Sequence, residues 1–420
     1  MDSTTLYPPS YEAVCAELDH RRRVALGFER IEALLKLLDN PQHCMRAVQV
    51  VGTNGKGTTA IALASALEAA GQPAGVYLSP HVLHYTERMI LRSGYVSEEE
   101  FAAVMGRVLK LADANEVPAT QFELLTAGAL AMFRDARLEW AVLEAGLGAR
   151  YDATSAAKAE AVVLTNVGLD HMEYLGETVE EIAEEKLASL QPGSVLILGT
   201  DDPRVVKVAR DTAERIGAHI VAHEGTAESG RTGHVPYLIR NEGLGLRAAE
   251  VLLGRTLRLE ERRMALAAAR VARPPGRFEV HEFGGVPVIV DGGHNPEGLE
   301  AALGAVRAEY GDRPLGVVFG ALKDKDVGSM LGVVGREAQD LVLTRPGSHD
   351  GRDLDPERLC EEYDPQDVTG RRARVVIDAG DAVRLAVREM GKVGGVVLVT
   401  GSLYTGGGVL EWLRGSGSLG

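Results

Sequence analysis

Val48-Gln49-Val50-Val51-Gly52-Thr53-Asn54-Gly55-Lys56-Gly57-Thr58-Thr59 is an apolar strand running into a glycine-rich loop and then into an alanine-rich helix. That succession reads as a phosphate cradle. Gly52, Gly55 and Gly57 let the backbone take positive φ and turn successive N–H groups toward one anion, and the following helix opens with free amides and a positive dipole end. Lys56 adds a mobile positive charge, Thr53 and Asn54 belong to the same turn, and Thr58 or Thr59 offers a hydroxyl able to help hold Mg²⁺. The spacing departs from G-x-x-x-x-G-K-[ST], because only two residues separate the first two glycines and a glycine follows the lysine. An ordinary glycine-rich turn is the alternative; strand before, lysine inside and helix after weigh against it. The helix stops at Gly71 and Ala74 to Leu78 returns as a strand, so the order demands a parallel pair with a crossover and puts a nucleotide at the strands' carboxyl edge.

Other strands end in polar residues at that same edge. Ser79-Pro80-His81 follows the second strand, Glu144 ends Trp140-Ala141-Val142-Leu143, and Ala161 to Thr165 delivers Asn166-Val167-Gly168-Leu169-Asp170-His171. A carboxylate beside nucleotide phosphates is poised to meet Mg²⁺, although Glu144 alone could equally be a solvated loop residue, and His171 alone would more often be structural. In the next helix, at ~100° per residue, Val179, Ile182, Ala183, Leu187 and Leu190 form an apolar stripe with Lys186 in its middle. An inward ammonium is costly unless it is paired, chemically altered or able to snorkel along its stem.

The chain has 420 residues, 45% of them hydrophobic, with 45 basic against 60 acidic and a formal charge of −15. This balance excludes a nonspecific grip on nucleic acid or on an anionic membrane. Three distant cysteines suggest neither a disulfide framework nor a cysteine metal cluster, no apolar run approaches the ~18 residues of a membrane span, and the first residues lack a targeting pattern. The chain reads as cytoplasmic. Residues 1–272 form one domain, 273–285 around Arg273-Pro274-Pro275-Gly276-Arg277-Phe278 a linker, and 286–420 a second, smaller doubly wound domain of alternating β and α patterns. Gly225 to Val235 reads as a loop or insertion, and Pro356 to Tyr363 as a helix. Asp291-Gly292-Gly293-His294-Asn295-Pro296 occupies the second domain's first strand-to-helix turn, a place for a ligand or for plain helix capping by Asn295.

Taken in order, these motifs resemble the folylpolyglutamate synthase and dihydrofolate synthase family of the Mur-ligase superfamily. The likeness rests on Gly52 to Thr58, Ser79-Pro80-His81 with Glu87-Arg88, Phe122-Glu123, Glu144 to Thr154, Leu169-Asp170-His171 with Leu175-Gly176, and Glu185-Lys186. Pro275 to Glu279, Asp291 to Pro296, Lys323-Asp324-Lys325-Asp326 and Gly401-Ser402-Leu403-Tyr404 extend it. The resemblance implies an α/β protein with an N-terminal P-loop-type, mostly parallel sheet domain and a smaller C-terminal Rossmann-like domain. It also implies a monomeric ATP-dependent amide ligase that adds L-glutamate to folates and to dihydropteroate through an acyl phosphate.

By that similarity Gly55, Lys56, Gly57 and Thr58 bind ATP phosphates, and Ser79, Glu144 and His171 hold magnesium. Lys186 matches a lysine the family carries as a carbamate, which would serve a second Mg²⁺. Asn241, Arg277 and Asp291 match ATP positions, His294 lies close to them, and Asp291 or His294 would orient the transfer. A pterin pocket is implied around Ala25, Leu26, Gly27, Phe28, Thr120, Tyr151, Asp152 and Ala153. Ala149 stands where the family usually has a second glycine, Ser155 where asparagine is frequent, and Gly293 where alanine is usual. The rival readings are another Mur-type ligase acting on a cell-wall precursor, and a non-catalytic nucleotide-binding regulator.

Overall fold

Short runs of valine, leucine and isoleucine become strands, and the small-residue runs between them become the helices that cover both sheet faces. The computed structural model describes residues 9–92, 94–222, 235–348, 351–362 and 373–415. The chain divides into two compact units, Met1–Ala227 with Arg240–Arg273, and Glu228–Ile239 with Pro274–Gly420. Most of the loop expected at Gly225 to Val235, and the Tyr363 end of the helix expected from Pro356, lie outside the described residues.

In the first unit the strands are β1 (Arg46–Val51), β2 (Ala74–Tyr77), β3 (Met89–Leu91), β4 (Gly94–Tyr95), β5 (Trp140–Glu144), β6 (Ala161–Leu164), β7 (Val195–Leu198) and β8 (His219–Ala222). They form one sheet in the order β4-β3-β2-β5-β1-β6-β7-β8, parallel except at the β3 and β4 edge. One expectation is corrected here: β1 and β2 are parallel members of the sheet but not neighbours, since β5 pairs with both. The crossover helix Lys56–Ala69 is long enough to pass over an intervening strand, and no local pattern records which strand fills the gap.

β1, β5 and β6 all end at the edge where the glycine-rich loop lies. Gln49, Leu143 and Val162 share a register there, so Gly52, Glu144 and the turn after Leu164 emerge together. The helix after the loop is held by the helix Pro236–Leu253, against which it packs at Gly245, where a Cβ would stand 2.6 Å from the Thr59 carbonyl oxygen. One helical turn before Gly245 on the same face is Asn241, which this close approach brings over Gly55.

The second unit contains β9 (Glu279–Phe283), β10 (Val286–Val290), β11 (Leu315–Phe319), β12 (Asp340–Leu343), β13 (Arg374–Val375) and β14 (Val396–Thr400), in the order β13-β12-β11-β14-β10-β9. The residues expected to be a linker up to 285 are partly sheet. Glu279–Phe283 pairs antiparallel with β10 through a two-glycine turn in which Gly284 has φ 58° and Gly285 φ 76°. Two left-handed residues in succession make the tight turn whose twist matches a hairpin. The apolar side chains of Ile289, Val317, Phe319, Leu343 and Leu398 join Leu299, Leu303, Met330 and Leu331 of the covering helices in one core.

Candidate active site

Gly55, at φ 82°, ends the loop and caps the helix Lys56–Ala69 in the left-handed conformation that only glycine takes without strain. Gly52, at φ 146°, lies so close to Thr165 that a Cβ would fall 1.9 Å from its hydroxyl oxygen. The loop is tied to the β6 turn at several points. Asn54 N–H donates to Asn166 Oδ1 at 2.8 Å, Thr165 Oγ1 donates to the Asn54 carbonyl at 2.7 Å, and the Gly168 N–H donates to Thr53 Oγ1 at 3.0 Å. Lys56 Nζ donates to the Thr53 carbonyl at 3.1 Å, which folds its stem back over the loop. Of the two threonines that follow, Thr59 is wholly enclosed and Thr58 keeps 9% of its surface. Asn241 covers Gly55, where a Cβ would stand 2.4 Å from the amide nitrogen.

Glu144 is nearly enclosed, accepts the Ser79 N–H at 2.9 Å and lies against the helix start, with Oε2 3.3 Å from the Cβ position of Gly57. The structure thus brings together the β2 and β5 ends and the phosphate loop. His171 has φ 51° and its N–H donates to Asp170 Oδ1 at 3.0 Å; its Nε2 is 3.9 Å from Asp170 Oδ2. Among the described residues no three His, Cys, Asp or Glu side chains converge as a metal cluster. The Glu144 carboxylate beside the start of the loop's helix is the kind of oxygen donor that a hard cation of the Mg²⁺ type takes, one or two at a time, beside phosphates.

Lys186 is on the helix Val179–Leu187, buried among Val179, Ile182, Ala183 and Leu187. The helix ends before Leu190, which packs into the same core from the following turn. Lys186 Nζ donates to the Gly52 carbonyl at 2.9 Å, so its stem does not carry the charge to the surface. Burial first, and then the neighbouring Lys56 charge, pull its pKa down to about 7, against the opposing pull of Asp170, Glu185 and Asp152. An amine with a pKa of about 7 is about half neutral at pH 7, and in its neutral form it is a nucleophile as well as a hydrogen-bond donor.

The residues expected around a pterin divide into two kinds. Leu26 and Tyr151 are exposed, and the Tyr151 ring centroid lies 6.4 Å from that of Phe28. Ala25 and Leu26 turn their carbonyls to Arg30 and Gly27 has φ 112°. Thr120, Asp152 and Ala153 are enclosed instead. Thr120 caps the helix Gln121–Asp135, while Asp152 accepts from the N–H groups of Gly146, Leu147 and Thr154 at 2.8, 3.0 and 3.0 Å. Burial pushes the Asp152 carboxyl up, and these donors oppose it.

In the second unit the segments 276–279 and 291–294 form one knot. Asp291 Oδ2 accepts from Tyr237 Oη at 2.5 Å and from the Phe278 N–H at 3.0 Å, and Oδ1 from the Gly293 N–H at 3.0 Å. Arg277 lies across Gly292, where a Cβ would stand 2.9 Å from its Nη1. His294 Nδ1 is 3.0 Å from the Gly292 carbonyl and therefore carries the proton, which makes Nε2 the acceptor of the neutral ring. Asn295 caps the helix Pro296–Tyr310 through the Gly298 N–H.

Residues 50–234 match the Mur ligase middle domain, and residues 276–403 the glutamate ligase domain of Mur ligases. A dihydrofolate synthase/folylpolyglutamate synthase of Escherichia coli is 31% identical over 74% of this chain and 76% of its own. The chain belongs to the folylpolyglutamate synthase and dihydrofolate synthase family. The Mycobacterium tuberculosis folylpolyglutamate synthase, solved in complex with ADP, superimposes with a TM-score of 0.85 at 27% identity, over 96% of this chain and 98% of that one. A bifunctional member from Yersinia pestis, solved with AMPPNP and a manganese ion, gives 0.82 at 28% identity over 96% and 98%.

Against the family pattern, Ala149 is accommodated because only its neighbour Gly148 has positive φ, at 65°. Ser155 accepts from Gln49 Nε2 at 2.8 Å and donates to the Ala149 carbonyl at 2.6 Å. Gly293 sits where a Cβ would meet the Gly298 backbone at 3.2 Å. Thr165 and Asn166 stand at the strand end that the sequence already delivers to this edge, but without the tie to the loop that the structure gives them; Tyr237 is a site residue for which the sequence carried no signal.

Proposed function

We propose that this chain is an ATP-dependent ligase that joins L-glutamate to the carboxylate of folates, extending tetrahydrofolate and accepting dihydropteroate, by way of an acyl phosphate. The observation that carries the reading is Lys186, enclosed and 2.9 Å from the carbonyl of the first glycine in the phosphate loop.

The loop amides, the helix start and Lys56 bind the phosphates and offset the charge that builds on the transferred group. Ser79, Glu144 and His171 would hold Mg²⁺, which when bound neutralises phosphate charge and lets two anions approach. Lys186, as the free amine, would add to carbon dioxide; the N–C bond forms, a proton leaves, and a buried cation becomes an anion fit for a second Mg²⁺. Leu26, Phe28 and Tyr151 offer apolar faces on which a flat heterocycle stacks. Asn241, Arg277 and Asp291 would bind ATP, and His294, through Nε2, would orient the incoming amine. The reading includes a monomer working in the cytoplasm.

Phosphate release from MgATP with L-glutamate, and dihydropteroate or tetrahydrofolate in separate reactions, tests it, with product masses read for an added glutamyl group. Extension of both acceptors is expected. Growth of a cell-wall precursor alone would keep the ligase and remove the folate; tight ATP binding without turnover on any acceptor would turn the chain into a regulator.

A further inference from the structure

We propose that Arg30 and Glu123 are positioning residues for the folate-type acceptor, holding together the two segments against which its ring system binds. The inference rests on the reading of residues 25–28 and 120 as that pocket.

Glu123 is 4% exposed, and its carboxylate accepts from Arg30 Nε at 3.0 and 3.1 Å and from Thr120 N–H and Oγ1 at 2.7 and 2.8 Å. Capping the helix Gln121–Asp135 needs only the bonds within Thr120 and Glu123. The bonds to Arg30 join that helix start to a segment more than ninety positions earlier in the chain. Through Nη2 the same guanidinium donates to the Ala25 carbonyl at 2.8 Å and to the Leu26 carbonyl at 3.2 Å. Residues 22–27 have no helix or strand of their own, so the shape of this loop depends on what its carbonyls meet. With both carbonyls turned in to Arg30, the Leu26 side chain stays outward and 62% exposed.

The geometry asks for arginine specifically. A planar guanidinium can meet a carboxylate through Nε and two carbonyls through Nη2 at fixed angles, whereas an ammonium is a point donor. Lysine at position 30 would keep Glu123 from becoming an unpaired buried charge, yet would release the loop.

The test is steady-state kinetics of Arg30→Lys, Arg30→Ala and Glu123→Gln, with KM measured separately for acceptor, ATP and L-glutamate. Arg30→Lys is expected to stay folded and to raise the acceptor KM about tenfold, as for the loss of a charge-assisted hydrogen bond, with the other two KM values unchanged. Added guanidinium should lower the acceptor KM of Arg30→Ala toward that of the unaltered protein. An unchanged acceptor KM in Arg30→Lys overturns the proposal. So does a parallel rise of all three KM values with a fall in the thermal midpoint, which would make the pair a support of the fold alone. An unaltered protein that extends no folate or pteroate removes the underlying reading, and the proposal with it, and that outcome is read without any variant.

Discussion

At Lys186 burial and chemistry pull in opposite directions. The folded protein holds this amine with a pKa of about 7, while the unfolded chain holds it near its ordinary 10.5. Between those values the unfolded state binds the extra proton, so the stability of the unmodified protein falls as pH drops from above 10 to about 7 and then levels off. Lys186→Met should therefore be more stable than the unmodified protein at pH 6–7, by a few kcal/mol (about 1.4 for each tenfold loss of proton affinity on folding), with the advantage shrinking toward pH 10. The same variant should lose ligase activity by ~100-fold or more, since methionine can neither donate to Gly52 nor take up carbon dioxide. Thermal melts across pH in bicarbonate-free buffer, beside turnover, check both halves. Gly55→Ala attacks the loop itself. The side chain would be placed at φ 82° and against Asn241, so ATP affinity should fall by about tenfold or more, from ~1–2 kcal/mol of left-handed strain and the displaced Asn241. Calorimetric titration with MgATP measures it.

Among the elements, the β9–β10 hairpin tests how a turn is specified. Gly284 and Gly285 both have positive φ, so replacing the pair by Ala-Ala should destabilise the second unit by ~2–4 kcal/mol, whereas Gly284→Asn should cost well under 1. Denaturant melts of the two variants would separate the outcomes. This hairpin was hidden in the sequence because Pro274-Pro275-Gly276 before it looks like a connector. What could be read was local. The strand, glycine loop and helix at 46–69, the capping residue Asn295, and the lysine within an apolar stripe each depend on residues a few positions apart. What could not be read was long-range. That β5 separates β1 from β2, that Asn166 holds Asn54, and that Tyr237 holds Asp291 are pairings across 54 to 112 positions, for which spacing carries no mark. Ser97→Ala is a control at this scale: the hydroxyl accepts the Glu100 N–H at 3.1 Å, so its loss should cost about 1 kcal/mol and leave turnover alone.

For the whole molecule, the two units have separate cores, and the residues read as binding ATP are shared out between them: Gly55, Lys56 and Asn241 in the first, Arg277 and Asp291 in the second. A chain of this kind need not melt in one step. In differential scanning calorimetry the ligand-free protein should show two overlapping transitions. A ligand that binds only the native state stabilises whatever holds it, by ~2.7 kcal/mol at a concentration one hundred times its Kd. If the phosphate loop alone held ATP, MgATP would move one transition and leave the other in place. Asp291 is already fastened by Tyr237, Phe278 and Gly293, so under the proposed reading it would meet the nucleotide without reorganising, and the second unit would respond to it. Both transitions should therefore rise with MgATP and converge, and Asp291→Asn should restore a second transition that ignores the nucleotide. A second transition that stays fixed in the unaltered protein would confine ATP to the first unit and withdraw Arg277 and Asp291 from its site.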